Sequence, residues 1–182
     1  MDRISGNAFA ADRLFLAAVP DAATAAEIHR RAGILKRAHQ FSGSLIKPER
    51  LHISLFFLGR LPEDVVRMAC EAAEGVRVPP FEVSFDRTVS FRGNPAGRPF
   101  VLTGEDGLIR LKSFRRALGA AITRCGLRRA AKTNFTPHVT LLYDSREAAE
   151  HPIAPIAWTV SEFVLIHSMV RYDQLARWPL RK

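Results

Sequence analysis

The sequence predicts one α+β domain built mainly of antiparallel strands. Its 182 residues are 47% apolar and 25% charged, an ordinary globular make-up with enough chain to bury a core unaided. Strand and helix patterns follow one another as β-α-β-α-β-β-α-β-β-β, not as the strict alternation of a parallel βαβ sheet. No shift in composition divides the chain, so residues 1–12 are expected to be a lead-in and residues 13–182 one domain.

The elements follow in order. Arg13 to Val19 (RLFLAAV) is a compact apolar strand ended by Pro20. Asp21 can cap a helix to about Arg37, with Ala25, Ile28, Ala32 and Leu35 on one stripe. Gly43 to Pro48 reads as a loop, and Arg50 to Leu58 as a strand stopped by Gly59. Pro62, Glu63 and Asp64 open a second helix that runs to about Gly75, since proline and acids suit a first turn. Phe81, Val83 and Phe85 alternate with Glu82, Ser84 and Asp86, the pattern of a half-buried strand. The turn-rich Arg92 to Pro99 separates it from a strand at Phe100 to Thr103. A third helix, about Leu108 to Cys125, carries Leu111, Phe114, Leu118, Ile122 and Cys125 on one stripe, with Gly126 placed to stop it. Phe135 to Tyr143 and Thr159 to Ser168 read as strands, before a short C-terminal segment.

Several classes are disfavoured. Cys70 and Cys125 are too few for a disulfide framework and form no CxxC pair; both are expected to be reduced and buried, in a cytoplasmic protein. The longest apolar run near the start, Leu14 to Val19, falls far short of the roughly 20 residues that cross a bilayer. The net charge of +9 is uneven: no acid occurs from Gly107 to Tyr143, a stretch holding Arg110, Lys112, Arg115, Arg116, Arg124, Arg128, Arg129 and Lys132. Such a stretch attracts phosphates and nucleic acid, although an arginine-rich proteome produces the same count, so charge alone names no partner.

Two strands share a pattern that bears chemistry. Leu51-His52-Ile53-Ser54-Leu55-Phe56-Phe57 and Pro137-His138-Val139-Thr140-Leu141-Leu142-Tyr143 both read His, β-branched apolar, hydroxyl, Leu, apolar, aromatic. This weak repeat suggests two halves about a pseudo-twofold. Strand side chains alternate faces, so His52 shares a face with Ser54, and His138 with Thr140, while Ile53, Leu55, Phe57, Val139 and Leu141 point to apolar packing. One His-x-Ser strand would be commonplace; two facing strands would place two imidazoles and two hydroxyls around one cleft. Paired imidazoles can act as base and acid near neutral pH, and hydroxyls can donate to non-bridging phosphate oxygens. In-line displacement at phosphorus needs a base on one side and an acid on the other. Zinc is disfavoured: HxH and HxxxH spacings are absent, and neither repeat carries Asp, Glu or Cys beside its His. No GxSxG elbow supports a serine nucleophile.

These paired motifs resemble those of the 2H phosphoesterases, and most closely the bacterial 2′-5′ RNA ligase branch, also called RNA 2′,3′-cyclic phosphodiesterase. The resemblance runs from about Arg13 to Leu180, through RLFLAAVP, PERLHISLFFLG, FEVSFDR, FTPHVTLLYD, EFVLIHS and RWPL. It implies a bilobal single domain: two pseudo-twofold-related antiparallel sheets facing across a groove, with helices outside. It implies metal-independent hydrolysis of RNA 2′,3′-cyclic phosphate ends to 2′-phosphate, with 2′-5′ ligation as the reverse. By motif position His52 and His138 are then the catalytic pair, and Ser54 and Thr140 hold the phosphate. One assignment has His138 activate water and His52 protonate the departing 3′-oxygen; the near-symmetry of the motifs gives no reason to prefer it to the swap. Ser54 stands where Thr is commoner, and Leu142-Tyr143 where some relatives carry Ala-Arg, so Arg98, Arg129 or Lys132 are candidates for a missing cation. Phe15, Phe56 and Phe100 are candidates to stack a base, with Tyr143 at the strand end. His29 is expected to be solvated, His39 to be a cation suited to its helix end, and His151 to lie in a loop; Trp158 and Trp178 are expected to pack.

The expected partner is RNA with a 2′,3′-cyclic phosphate end or a small cyclic nucleotide, acted on by a monomer with no cofactor and no membrane. A groove that binds nucleotide or RNA without turnover is the alternative, although binding alone would not need both imidazoles.

Overall fold

The computed structural model describes residues 14–127, 135–168 and 172–182. Among them are β1 (Leu14–Ala18), α1 (Ala22–Ala38), β2 (Ile53–Gly59), α2 (Glu63–Glu74), β3 (Phe81–Ser90), β4 (Arg98–Thr103), α3 (Ile109–Arg124), β5 (Val139–Asp144), β6 (His151–Val160), β7 (Glu162–Ser168) and β8 (Tyr172–Pro179). The strands form one sheet in the order β6-β3-β4-β5-β2-β1-β7-β8, every neighbour antiparallel. The fold is therefore α+β, and the two expected sheets are its halves, β6-β3-β4-β5 and β2-β1-β7-β8. They join at a single pair, Ile53 with Val139. The motif strands β2 and β5 are thus the inner edges of the two halves.

The helices form where the sequence places them. Asp21 caps α1: its carboxylate accepts from Thr24 N–H at 2.8 Å and from Thr24 Oγ1 at 2.7 Å. Ala25, Ile28 and Ala32 bury the inner stripe of α1, and Leu111, Phe114, Leu118 and Ile122 that of α3. Gly126 stops α3 at φ 83°, a left-handed backbone that glycine adopts without strain. Phe85 stacks on Trp158 and Phe163 on Trp178, both at 5.1 Å between ring centroids, so both tryptophans pack as expected.

Several expectations are corrected. Arg50 ends a 3-10 turn (Pro48–Arg50) before β2 begins. His151 opens β6 and is not in a loop; Thr88 Oγ1 lies 3.0 Å from its Nε2. Pro152 and Pro155 hide this strand from sequence reading, but β6 is a sheet edge, where missing N–H donors are tolerated. His29 is half-buried, its Nδ1–H donating to the Ile46 carbonyl at 2.9 Å. His39 packs against Phe41, Phe100 and His151. Burial, and then the charge of His151, push its pKa down, which disfavours the cation expected there. Cys70 and Cys125 are half-buried free thiols.

Candidate active site

The join between the halves builds the site. The antiparallel pair Ile53–Val139 sets His52 and Ser54, which flank Ile53, beside His138 and Thr140, which flank Val139. Cross-strand neighbours have Cβ atoms about 4.5–5.5 Å apart. All four side chains line one groove of about 470 Å³.

The two imidazoles are held alike. His52 Nδ1–H donates to the Arg50 carbonyl at 2.8 Å, and His138 Nδ1–H to the Thr136 carbonyl at 2.7 Å. A carbonyl can only accept, so in the neutral ring each proton sits on Nδ1 and leaves Nε2 as the working nitrogen. Ser54 Oγ lies 3.0 Å from His52 Nε2 and donates to it when the ring is neutral. Each ring also rests on a phenylalanine: Phe15 lies 4.9 Å from His52, and Phe91 meets His138 edge-on at 5.0 Å. Burial pushes the His52 pKa down; the Arg50 carbonyl opposes this, while His138 and Arg50 add to it by positive charge.

A shared irregularity arranges the aromatic residues. Against β1, Ala17 pairs with Ser54 but Leu16 with Phe56, so Leu55 is an extra residue in β2. Against β4, Val101 pairs with Thr140 but Phe100 with Leu142, so Leu141 is extra in β5. A bulge shifts side-chain parity by one. Each motif strand accordingly reads buried, half-buried, buried, buried, exposed from its β-branched residue onward. Each bulged carbonyl has a donor outside the ladder: Arg115 Nε–H reaches Leu55 O at 2.9 Å, and Ile46 N–H reaches Leu141 O at 2.8 Å.

The bulges correct part of the expected site. Phe56 is 2% exposed in the core, and Phe57, 60% exposed, lines the groove in its place. Phe100, fully buried, pairs with Leu142 and packs on Phe41 at 4.8 Å, away from the groove. Phe15 lines the groove but is 8% exposed, so it supports His52 and offers no face to a base. Tyr143, 53% exposed, lines the groove at the position matching Phe57. Arg98 does not line it: its guanidinium donates to the Ser145 carbonyl at 2.8 Å, at the far end of β5. Arg129 and Lys132 lie outside the described residues.

Sequence reasoning missed Arg50, Ser168 and Tyr172, which also line the groove. Tyr172 Oη is 3.2 Å from His52 Nδ1, and the Arg50 guanidinium lies 5.5 Å from the centre of the Tyr172 ring. Arg50 was legible as the one cation two residues before a motif histidine. Tyr172 was not, because no local pattern ties β8 to β2.

The family model described as the 2′-5′ RNA ligase superfamily matches residues 19–170. The RNA 2′,3′-cyclic phosphodiesterase of Escherichia coli (strain K12) is 29% identical over 146 residues, 76% of this chain and 81% of that protein. The crystal structure of E. coli LigT complexed with 3′-AMP superposes with a TM-score of 0.70 at 26% identity, over 94% of this chain and 99% of that one. The protein TT0787 of Thermus thermophilus shares the fold, with a TM-score of 0.74 at 22% identity, over 93% of this chain and 98% of that one. With the match spanning most of the sequence and both motif strands, the chain belongs to the 2′-5′ RNA ligase superfamily.

Proposed function

We propose that the protein hydrolyses RNA 2′,3′-cyclic phosphate ends to 2′-phosphates by acid–base catalysis between His52 and His138. The observation that carries this reading is the pair of imidazoles with Nδ1 tied to a backbone carbonyl, lining one groove beside Ser54 and Thr140. Water attacks phosphorus opposite the 3′-oxygen and gives a proton to one imidazole. The P–O3′ bond breaks, and the other imidazole protonates the departing oxygen. The leaving group is a sugar hydroxyl that an imidazolium can protonate, so the step requires no metal. Ser54 and Thr140 hydroxyls donate to the non-bridging oxygens, where charge grows in the transition state. Arg50 adds a positive charge at the groove. A 5′-hydroxyl in place of water would form a 2′-5′ bond by the same displacement.

The roles divide by environment. His52 is favoured neutral at rest, its Nε2 lone pair accepting from Ser54 Oγ–H; with phosphate bound that hydrogen turns to a non-bridging oxygen and frees the lone pair for water. His52 is therefore assigned as base and His138 as acid, the swap of the assignment given above. Two free cysteines suit a reducing cytoplasm.

The test is turnover of an oligoribonucleotide ending in a 2′,3′-cyclic phosphate. His52→Ala and His138→Ala should each lower kcat about 10²–10⁴-fold, the usual yield of a positioned acid or base. Wild-type turnover in both variants would overturn the mechanism.

A further inference from the structure

A second concavity, a trough of about 490 Å³, is lined by α3, by Phe56 of β2 and by Phe135 in the segment before β5. Its walls include Phe56, Phe135 and one face of α3 carrying Lys112, Arg115 and Arg116. No acid lines it, and none occurs anywhere from Gly107 to Tyr143. Arg115 is a fixed part of the wall. Its guanidinium lies between the Phe56 and Phe135 rings, 4.3 and 4.4 Å from their centres, while its Nε–H holds the Leu55 carbonyl. Lys112 and Arg116 are exposed and have no carboxylate partner among the described residues. Gly119 and Ala120 keep the helix face between the cations and Thr123 shallow.

The trough and the groove are two faces of one stretch of backbone. Phe56 lines the trough and Phe57 the groove; Phe135 lines the trough and His138 the groove. Three residues span at most about 10 Å. For one RNA strand to use both, its 3′ end would sit between His52 and His138 and the nucleotides before it would turn past exposed Phe57 into the trough.

We propose that this trough binds the phosphodiester backbone of single-stranded RNA upstream of the cyclic-phosphate end, with Lys112 and Arg116 as its phosphate contacts. The inference rests on the cyclic phosphodiesterase reading above and extends it: the enzyme prefers an oligonucleotide end to a cyclic mononucleotide, and the preference resides on α3. An acidic protein would satisfy the charge, but only a chain continuous with the groove's own ligand uses the shared backbone.

The test compares the wild type with the double variant Lys112→Gln/Arg116→Gln. One substrate is a ten-nucleotide RNA ending in a 2′,3′-cyclic phosphate; the other is a cyclic mononucleotide. The variant should raise KM for the oligonucleotide about tenfold, leave its kcat unchanged and leave mononucleotide kinetics unchanged. Its salt dependence of log(kcat/KM) should flatten by about 1.4, since each single-strand phosphate contact contributes about 0.7. Fluorescence anisotropy with the same oligonucleotide, 5′-labelled, reads binding directly and should weaken by the same factor. Unchanged oligonucleotide KM and affinity would overturn the trough, as would an equal loss on both substrates. Displacement of the oligonucleotide by polyglutamate as readily as by unlabelled RNA would assign the surface to an acidic protein instead. Wild-type failure on both substrates would sink the catalytic reading, and anisotropy would still decide the trough.

Discussion

An imidazole that must accept a proton works only where its neutral form prevails. At His52 that condition comes from enclosure: Phe15 lies beneath the ring, Tyr172 beside it, and two positive neighbours oppose a third charge. Burial also pushes the Tyr172 hydroxyl pKa up, so it stays protonated as a neutral neighbour across the working range. The sign of the pH effect follows. A base with a lowered pKa becomes competent as pH rises through that lowered value, so the acid-side limb of kcat/KM should fall below the ordinary histidine value of about 6.5. The check is a pH–rate profile from pH 4.5 to 9 on the cyclic-phosphate oligonucleotide. An acid limb at or above 6.5 would contradict the assignment of His52 as base. At this scale the sequence was informative: the spacing of His52, Ser54, His138 and Thr140 was enough to gather them in one groove. The neighbours that distinguish the two histidines come from β8 and from the turn before β2, beyond the reach of local spacing.

The motif strands depend on their bulges. Alternation counted from His52 sends Phe56 to the groove and Phe57 to the core; one extra residue at Leu55 reverses the two. Period-two reasoning cannot see such an insertion, because a bulge leaves no residue-type signature in an apolar run. Its repetition at Leu141 makes it a property of both halves. In β2 the freed carbonyl is held by Arg115, whose guanidinium also lies against two aromatic rings. A charged hydrogen bond contributes about 1.5–3 kcal/mol and an aromatic–cation contact about 0.5–2 kcal/mol. Arg115→Leu should therefore lower the urea-unfolding free energy by about 2–3 kcal/mol and reduce kcat by misplacing Ser54. Arg115→Lys should restore little, since an ammonium cannot stack flat between two rings. A loss below about 0.5 kcal/mol in the leucine variant would show that the bulge stands without it. The same kind of tertiary dependence hid β6, whose prolines make sense only once β3 is known to be its single neighbour among the described residues.

Across the whole molecule, two four-stranded halves meet at Ile53 and Val139, and the site sits where they meet. The pair there brings the histidine and hydroxyl of each half to one groove, so neither half holds both imidazoles. The repeat in the sequence announced the two halves; their joining into one sheet followed from a single backbone pair that no pattern marks. Asp144 helps fix the far end of β5. Its carboxylate accepts from Arg146 N–H at 2.8 Å and from Ser42 and Gly43 N–H at 2.6 Å each, which holds it at a pKa of about 2. Gly43 has no room for a side chain there, since a Cβ would collide with the Tyr143 carbonyl oxygen. These contacts anchor the loop that carries Ile46 to the groove. On the proposed mechanism, this joined site opens a 2′,3′-cyclic phosphate at its 3′ side. The most direct measurement is to incubate the protein with a cyclic-phosphate-ended oligoribonucleotide in EDTA and resolve the 2′- from the 3′-phosphate product. The 2′-phosphate alone, formed with the metal chelated, is the predicted result; a 3′-phosphate, or no product until a divalent metal is restored, would contradict it.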